Sequence, residues 1–251
     1  DHTGHAGFKI CPFLKWAQYL RVAKVPFAQN DAKVFATYCQ KTLGIPEKNI
    51  RSYENATYGT LISALDDIKS ICDVYNGNIK VIFYYAGHGI PNEQTCDAYL
   101  LPVDADGRNT SVCLSLNTLY KELGNLKSQV CIAFIDACFS GAERGSNMLA
   151  SARGVAIKSK QGTPEGKLIT FSAASGDETA YPYIEKGHGL FTYFLLKKLQ
   201  ETSGNVTLGE LGTYVTEMVR QHSITENKKL QTPVMKISTS IASDWRSIKL
   251  K

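Results

Sequence analysis

Residues 79–89 read IKVIFYYAGHG, and residues 129–141 read QVCIAFIDACFSG. Each stretch begins with a run of apolar residues, rich in β-branched and aromatic side chains, that is too short for a buried helix. Runs of this kind are typical of strands whose two faces are both covered in a parallel sheet. The sequence therefore predicts two interior strands, at 79–85 and 129–136, each followed at once by a glycine-containing loop.

Helices and strands alternate along the rest of the chain. A third apolar run, at 167–174, predicts another buried strand. Apolar residues at helical spacing predict helices at 30–44, 57–77, 115–124, 190–201 and 207–221. Because strands that alternate with helices form parallel sheets covered on both faces, we expect a three-layer α/β/α sandwich with a mainly parallel central sheet.

The composition is typical of a soluble globular protein. Of the 251 residues, 43% are hydrophobic and 20% are charged, which is ordinary for a chain with a real core. The net charge of +5 is spread without a block of like charges, so we expect no nucleic-acid binding. No apolar run approaches the roughly 18 residues of a membrane span.

The seven cysteines form no C-x-x-C pair and are expected to be reduced thiols. The chain begins with Asp1, which leaves room for an export signal upstream, and the sequence names no compartment.

The loops that follow the two interior strands carry residues of nucleophilic catalysis. Parallel strands present their carboxyl ends at the same edge of a sheet, so His88 and Cys138 are expected to meet there. In thiol catalysis an imidazole takes the thiol proton and later returns it to the leaving amine. The amide N–H groups of Gly89 and Cys138 are candidate donors to an oxyanion. The alternative interpretations are that Cys138 is only a buried core residue and that His88 only occupies a turn. A zinc site is disfavoured, because the loops hold one histidine and one cysteine.

Asp136 is the last residue of the second predicted strand, where a carboxylate is costly unless a partner binds it. It could cap the following turn. It could also line a pocket for a basic side chain, where charge-assisted hydrogen bonds would hold an arginine or a lysine.

These motifs resemble the caspase-like cysteine peptidases, and most closely the bacterial relatives of metacaspases. The resemblance covers roughly residues 25–240 and is carried by YYAGHG and DACFSG, 50 residues apart, with support from FAQNDAKVF, DAYLLPVDA, FSAASGDETA, GHGLFTYFLL and QTP. It implies a monomeric cysteine endopeptidase in which His88 is the general acid and base and Cys138 is the nucleophile. The amides of Gly89 and Cys138 would form the oxyanion hole.

The resemblance also implies how a substrate would bind. Asp31 and Asp136 would form an acidic S1 pocket that selects Arg or Lys at P1 of a peptide or protein substrate, above a floor that includes Ala28 and Ala86. The stretch FSAAS, 171–175, would pair with the substrate backbone as an added strand, through the residues Ser172, Ala173 and Ala174.

The domain boundaries follow from the same comparison. Residues 1–24 are poorly patterned, and the first strand of the family is not recognisable there or is truncated. Residues 25–245 form the peptidase domain, with an exposed linker at about 142–167 that separates parts like the large and small subunits of caspases. Basic residues in this linker are possible self-cleavage sites: Arg144, Arg153, Lys158 and Lys160.

Calcium activation is not expected. Of the aspartates that calcium-dependent relatives use, only Asp104 has a match, and the expected pair of aspartates is Ser115 and Leu116. No metal or other cofactor is therefore predicted.

Two other functions compete with the endopeptidase. A thiol amidase or transferase would share the His–Cys pair but would not need two aspartates in one pocket. A non-proteolytic interaction or scaffold domain would need neither His88 nor Cys138. The second Gly-His-Gly, at 187–189, precedes a predicted helix, so His188 is expected to cap or pack at the helix start.

Overall fold

The computed structural model describes residues 8–15, 25–140, 158–241 and 243–251. The strands in these residues are β1 (Phe8–Lys15), β2 (Ile50–Glu54), β3 (Lys80–Ala86), β4 (Gly89–Pro91), β5 (Ala98–Leu100), β6 (Leu114–Ser115), β7 (Val130–Asp136), β8 (Leu168–Ser172), β9 (Pro182–Tyr183), β10 (His188–Gly189) and β11 (Val234–Ile237). The α-helices are α1 (Ala28–Lys41), α2 (Tyr58–Val74), α3 (Leu116–Gly124), α4 (Leu190–Glu201) and α5 (Leu208–Asn227).

Among the described residues, six strands form the central sheet in the order β11-β8-β7-β3-β1-β2. All neighbours are parallel except β11, which runs antiparallel to β8 at one edge. The two strands predicted from the opening stretches, β3 and β7, lie side by side in the middle. Every residue of β7 and all of β3 except Lys80 are buried. The predicted mainly parallel α/β sandwich is confirmed.

The helices cover both faces of this sheet because the order in which strands are added to it changes direction after β2. The β1–α1–β2 crossover moves toward one edge, whereas β2–α2–β3 and β3–α3–β7 move toward the other. Right-handed crossovers therefore place α1 on one face and α2 and α3 on the opposite face. Helix α4 contacts both α1 and α5, so these three helices share a face.

An aromatic row joins the sheet to α1. The ring of Phe35 stacks on Tyr84 at 4.4 Å between centroids and meets Phe134 edge-on at 5.7 Å, and Phe134 lies 5.0 Å from Phe171. Side chains alternate between the faces of a strand, so Asp136 lies on the same face as Phe134, toward α1 and α4.

Strand β1 corrects the expectation for residues 1–24. It lies between β3 and β2 and is parallel to both, so the first strand is present in the sheet. The sequence FKICPFLK conceals it, because Pro12 and the two lysines interrupt the apolar run that a central strand usually shows. Its pairing with β3 is irregular between Phe8 and Ile10.

The described second part of the expected linker is mixed in its exposure. Lys158, Lys160, Thr163 and Glu165 are exposed, whereas Ser159, Gln161 and Pro164 are buried. Lys160 forms a bridge with Asp97: its N–H donates to Cys96 O at 2.7 Å, and its carbonyl accepts from Ala98 N–H at 3.2 Å. Residues 158–166 thus pack along the domain. Arg144 and Arg153 lie outside the described residues.

Candidate active site

The ends of β3 and β7 bring the two catalytic candidates to one edge of the sheet. Ala86 and Asp136 are directly paired in parallel register, and the N–H of Gly87 donates to Asp136 O at 3.2 Å. His88 and Cys138 therefore each follow by two residues a position that the sheet holds in place. Both are 6% exposed.

Gly89 lies against the loop that carries Cys138. A Cβ at this position would stand 2.3 Å from a ring carbon of Phe139 and 2.6 Å from the carbonyl oxygen of Cys138. Phe139 is fully buried and cannot move aside. Only a glycine permits this approach, so the histidine and cysteine loops are in van der Waals contact.

The backbone of the histidine loop is held from two sides. The His88 carbonyl accepts from the Tyr85 hydroxyl at 2.8 Å and from Leu101 N–H at 3.1 Å. Burial raises the pKa of Tyr85 well above its usual value, which keeps its hydroxyl protonated as a donor.

The amide of Gly89 is not used by the strand that pairs with it. Leu101 N–H bonds to His88 O, which makes the next pair along, Gly89 and Leu100, a non-hydrogen-bonded pair of the antiparallel β4–β5 ladder. The Gly89 N–H therefore points away from β5.

Asp136 is fully buried and belongs to a chain of hydroxyl groups. The Thr192 hydroxyl donates to Asp136 Oδ2 at 2.6 Å, and the Tyr84 and Thr192 hydroxyl oxygens are 2.7 Å apart. Because Thr192 has one hydroxyl proton, Tyr84 donates to Thr192, and Thr192 donates to the carboxylate. This series of hydrogen bonds connects β3, β7 and α4.

Asp31 is also fully buried, and its hydrogen bonds connect α1 to the start of α4. Its Oδ1 lies 2.6 Å from Nδ1 of His188, and its Oδ2 accepts from Gly189 N–H at 2.9 Å. Asn30 Nδ2 donates to Gly187 O at 2.9 Å. His188 therefore has an acidic partner that the sequence analysis did not foresee.

Both predicted pocket carboxylates thus bind the first turn of α4. Asp31 holds Gly189, the residue that precedes the helix, and Asp136 holds Thr192. The positive end of the helix dipole stabilises negative charge at this position. The two partners, Gly189 and Thr192, lie three positions apart in the chain. That Asp31 and Asp136 serve one pocket stays a prediction.

The stretch expected to pair with a substrate backbone is not an open edge. Ser172 has a strand partner on each side, Ile135 in β7 and Val234 in β11. The carbonyls of Ala173 and Ala174 accept hydrogen bonds from the side-chain amides of Gln231 and Gln161, at 2.8 and 2.9 Å. Ser172, Ala173 and Ala174 thus take part in hydrogen bonds or strand pairs within the fold, and their assignment to substrate binding stays a prediction.

Tyr181 is a partly buried residue that the sequence analysis did not single out. Burial raises the pKa of its hydroxyl above the usual value. Its N–H donates to Gln231 Oε1 at 2.8 Å, and its carbonyl accepts from Leu190 N–H at 2.9 Å. Tyr181 stands in the stretch ETAYP, seven residues after the end of the third predicted strand.

The described residues contain no group of three or more His, Cys, Asp or Glu side chains that could hold a metal ion. Asp104, the single match to a calcium ligand, accepts from Tyr58 N–H at the start of α2. Ser115 caps α3 through Thr118 N–H. No helix in the described ranges is long and apolar enough to span a membrane.

Comparison with known proteins agrees with this geometry. The family model of the caspase domain matches residues 10–242. Protein GSU0716 from Geobacter sulfurreducens superposes with a TM-score of 0.68 at 14% identity, over 96% of this chain and 97% of that one. Caspase-1 from Spodoptera frugiperda superposes with a TM-score of 0.64 at 12% identity, over 95% and 92% of the two chains.

Sequence identities of 14% and 12% show a common fold, and they show neither a common activity nor a common substrate. No curated protein sequence matches the chain significantly. The family model, however, spans almost the whole sequence, including both strand ends that carry His88 and Cys138. The chain belongs to the caspase domain family.

Proposed function

We propose that this chain is a cysteine endopeptidase that cuts after Arg or Lys, with Cys138 as nucleophile and His88 as general acid and base. The observation that carries the proposal is the contact of Gly89 with the Cys138 carbonyl at the ends of two adjacent parallel strands. Within a caspase domain, this contact puts a histidine and a cysteine loop side by side.

The reaction follows from the two side chains. His88 takes the proton from Sγ of Cys138, and the thiolate attacks the carbonyl carbon of the peptide bond. The resulting tetrahedral intermediate collapses as the amine leaves with the proton from His88, and a thioester remains on Cys138. A water molecule then loses a proton to His88 and attacks the thioester, which releases the carboxylic acid and returns the thiol.

Two backbone amides are suited to bind the oxyanion of the intermediate. The Gly89 N–H is directed away from the β4–β5 ladder, as its pairing type requires. The Cys138 N–H belongs to the nucleophile itself. Each such donor typically contributes about 3 kcal/mol to transition-state stabilisation.

Two buried carboxylates support the preference for a basic P1 side chain. Asp31 and Asp136 are both 0% exposed and both bind the start of α4. Thr192 donates to Oδ2 of Asp136. A guanidinium or ammonium group that reaches this region would gain charge-assisted hydrogen bonds.

Peptides that differ only at P1 test this function. We expect fluorogenic substrates with Arg or Lys at P1 to be cleaved and the matching Asp substrate to remain intact, because the pocket charges are negative. Turnover should be the same with a chelator as with added calcium, since we propose no metal in the reaction. Cys138→Ala is the control and should abolish cleavage. A wild-type protein that turns over none of these peptides would rule out the proposal.

Self-cleavage is a second expectation, and the main-chain hydrogen bonds of Lys160 exclude one of its candidate sites. A protease binds its substrate in extended form, and both main-chain groups of Lys160 are already bonded to Cys96 and Ala98. We therefore expect cleavage after Arg144, Arg153 or Lys158 and not after Lys160. Intact-mass and peptide mass spectrometry of the wild type beside Cys138→Ala measures this. Identical intact masses would remove self-cleavage, and a fragment ending at Lys160 would contradict the protection of that bond.

A further inference from the structure

Helix α4 begins without a side-chain cap of its own. The residue before the helix is Gly189, and its N–H donates to Asp31 Oδ2 at 2.9 Å. In the first turn, the Thr192 hydroxyl donates to Asp136 Oδ2 at 2.6 Å. Thr192 is thus the side chain through which the start of α4 binds the carboxylate at the end of β7.

The proton of Thr192 is directed at Asp136 by the side chain of Tyr84. A threonine hydroxyl has one proton to donate and accepts through its lone pairs. The hydroxyl oxygens of Tyr84 and Thr192 are 2.7 Å apart, and the Thr192 proton already serves the carboxylate. Tyr84 is therefore the donor of that pair, and through it Tyr84 acts on Asp136.

Packing fixes all three side chains. Tyr84, Thr192 and Asp136 are each 0% exposed, and the ring of Tyr84 stacks on Phe35. Tyr84 is paired with Phe134, two residues before Asp136, so the two polar side chains leave the same face of the sheet. Because each group is buried and hydrogen-bonded, the carboxylate cannot turn without a loss of hydrogen bonds.

We infer that Thr192 is a positioning residue for P1 recognition in the proposed peptidase: its hydroxyl, oriented by Tyr84, aims the Asp136 carboxylate and stabilises its negative charge. The inference rests on the proposed function, because it takes Asp136 to be part of the S1 pocket. A buried carboxylate that loses one donor recovers free energy by turning toward another donor or by taking up a proton. Either change weakens its attraction for a basic side chain.

The variant Thr192→Val tests this with two peptides that differ in one charge. Arginine and citrulline have nearly the same shape, but citrulline is neutral, so the ratio of their kcat/KM values at P1 measures recognition of charge. We expect this arginine-to-citrulline ratio to fall about tenfold or more, mostly through a higher KM for the arginyl peptide, the effect of one lost hydrogen bond to a charged group. A variant that was only less stable would lose activity toward both peptides equally and keep the ratio.

Two further variants follow the hydrogen bonds themselves. Thr192→Ser keeps the hydroxyl group and should keep a ratio close to that of the wild type. Tyr84→Phe should lower the ratio less than Thr192→Val does. In the Thr192→Val background it should lower the ratio no further, because Tyr84 acts through Thr192.

Thr170→Val is the matched control, because it also removes the hydrogen-bonded hydroxyl of a buried threonine. Thr170 is paired with Ala133 of β7, so its side chain lies on the face of the sheet opposite to Asp136. Its ratio should equal that of the wild type. An unchanged ratio in Thr192→Val, or an equal fall in Thr170→Val, would overturn the inference.

Benzamidine binding separates this inference from the proposed peptidase. Its flat amidinium group binds carboxylates through charge-assisted hydrogen bonds, and no peptide bond is cut. By isothermal titration calorimetry, we expect Thr192→Val to bind benzamidine about tenfold or more weakly than the wild type. A wild type that cleaves no peptide, together with this loss of affinity, would refute the peptidase alone. A wild type and Thr192→Val that cleave with the same arginine-to-citrulline ratio would refute the positioning role alone.

Discussion

His88→Asn should lower kcat/KM for an arginyl peptide by about 10²- to 10⁴-fold, the usual contribution of a general acid and base. Without the imidazole, nothing in the proposed mechanism removes the Cys138 proton or delivers one to the leaving amine. The Tyr85 hydroxyl and Leu101 N–H bind the main-chain carbonyl of residue 88, so the loop should keep its position. Stopped-time assays with a fluorogenic peptide give the rate, and near-ultraviolet circular dichroism checks the fold.

The matched control is His188→Asn, in the other Gly-His-Gly. His188 contacts Asp31 through Nδ1, and an asparagine amide nitrogen can reach a similar position. We expect a loss smaller than about tenfold there, since one hydrogen bond to a carboxylate is disturbed and no proton transfer is removed. Equal losses in the two variants would contradict the assignment of His88 as the acid and base.

Asp136→Asn should lower kcat/KM for the arginyl peptide by about 10²-fold or more, because removing one partner of a buried charge pair costs about 2–5 kcal/mol. Asparagine keeps the shape and an acceptor for Thr192, so the Tyr84–Thr192 chain remains. Alkylation of Cys138 by iodoacetamide should proceed at a rate close to that of the wild type, which shows that the nucleophile is intact.

The comparison for this variant is Asp67→Asn. Asp67 accepts from the Tyr53 hydroxyl on the exposed side of α2, beside the edge strand β2. The same loss of one negative charge should leave cleavage unchanged there. If Asp136→Asn retains the wild-type preference for Arg over Asp at P1, Asp136 is not part of the pocket.

The interior of the sheet could be predicted from local sequence, and one strand of it could not. Strands β3 and β7 are continuous apolar runs because both of their faces are covered, and that composition is visible without a structure. Strand β1 carries Pro12 between two lysines, so its composition is that of an edge or a loop. It is central only because β2 and β3 supply partners on both sides, and this pairing has no local signature.

The sequence by itself determined which chemistry is available at the strand ends. One apolar strand is followed by His88, and another ends at Asp136 and is followed by Cys138. This is enough to expect one sheet edge with a histidine, a thiol and a carboxylate. This inference needs only that the two strands are parallel neighbours in the sheet.

Only the tertiary structure decided what the surrounding polar groups bind. Asp31 meets His188 across 157 positions of sequence, and Gln231 reaches Ala173 across 58. A buried polar group must find a partner, but the burial that imposes this requirement and the distance to each candidate arise only when the chain is packed. For that reason the carbonyls of Ala173 and Ala174, which follow β8, accept hydrogen bonds from the side chains of Gln231 and Gln161.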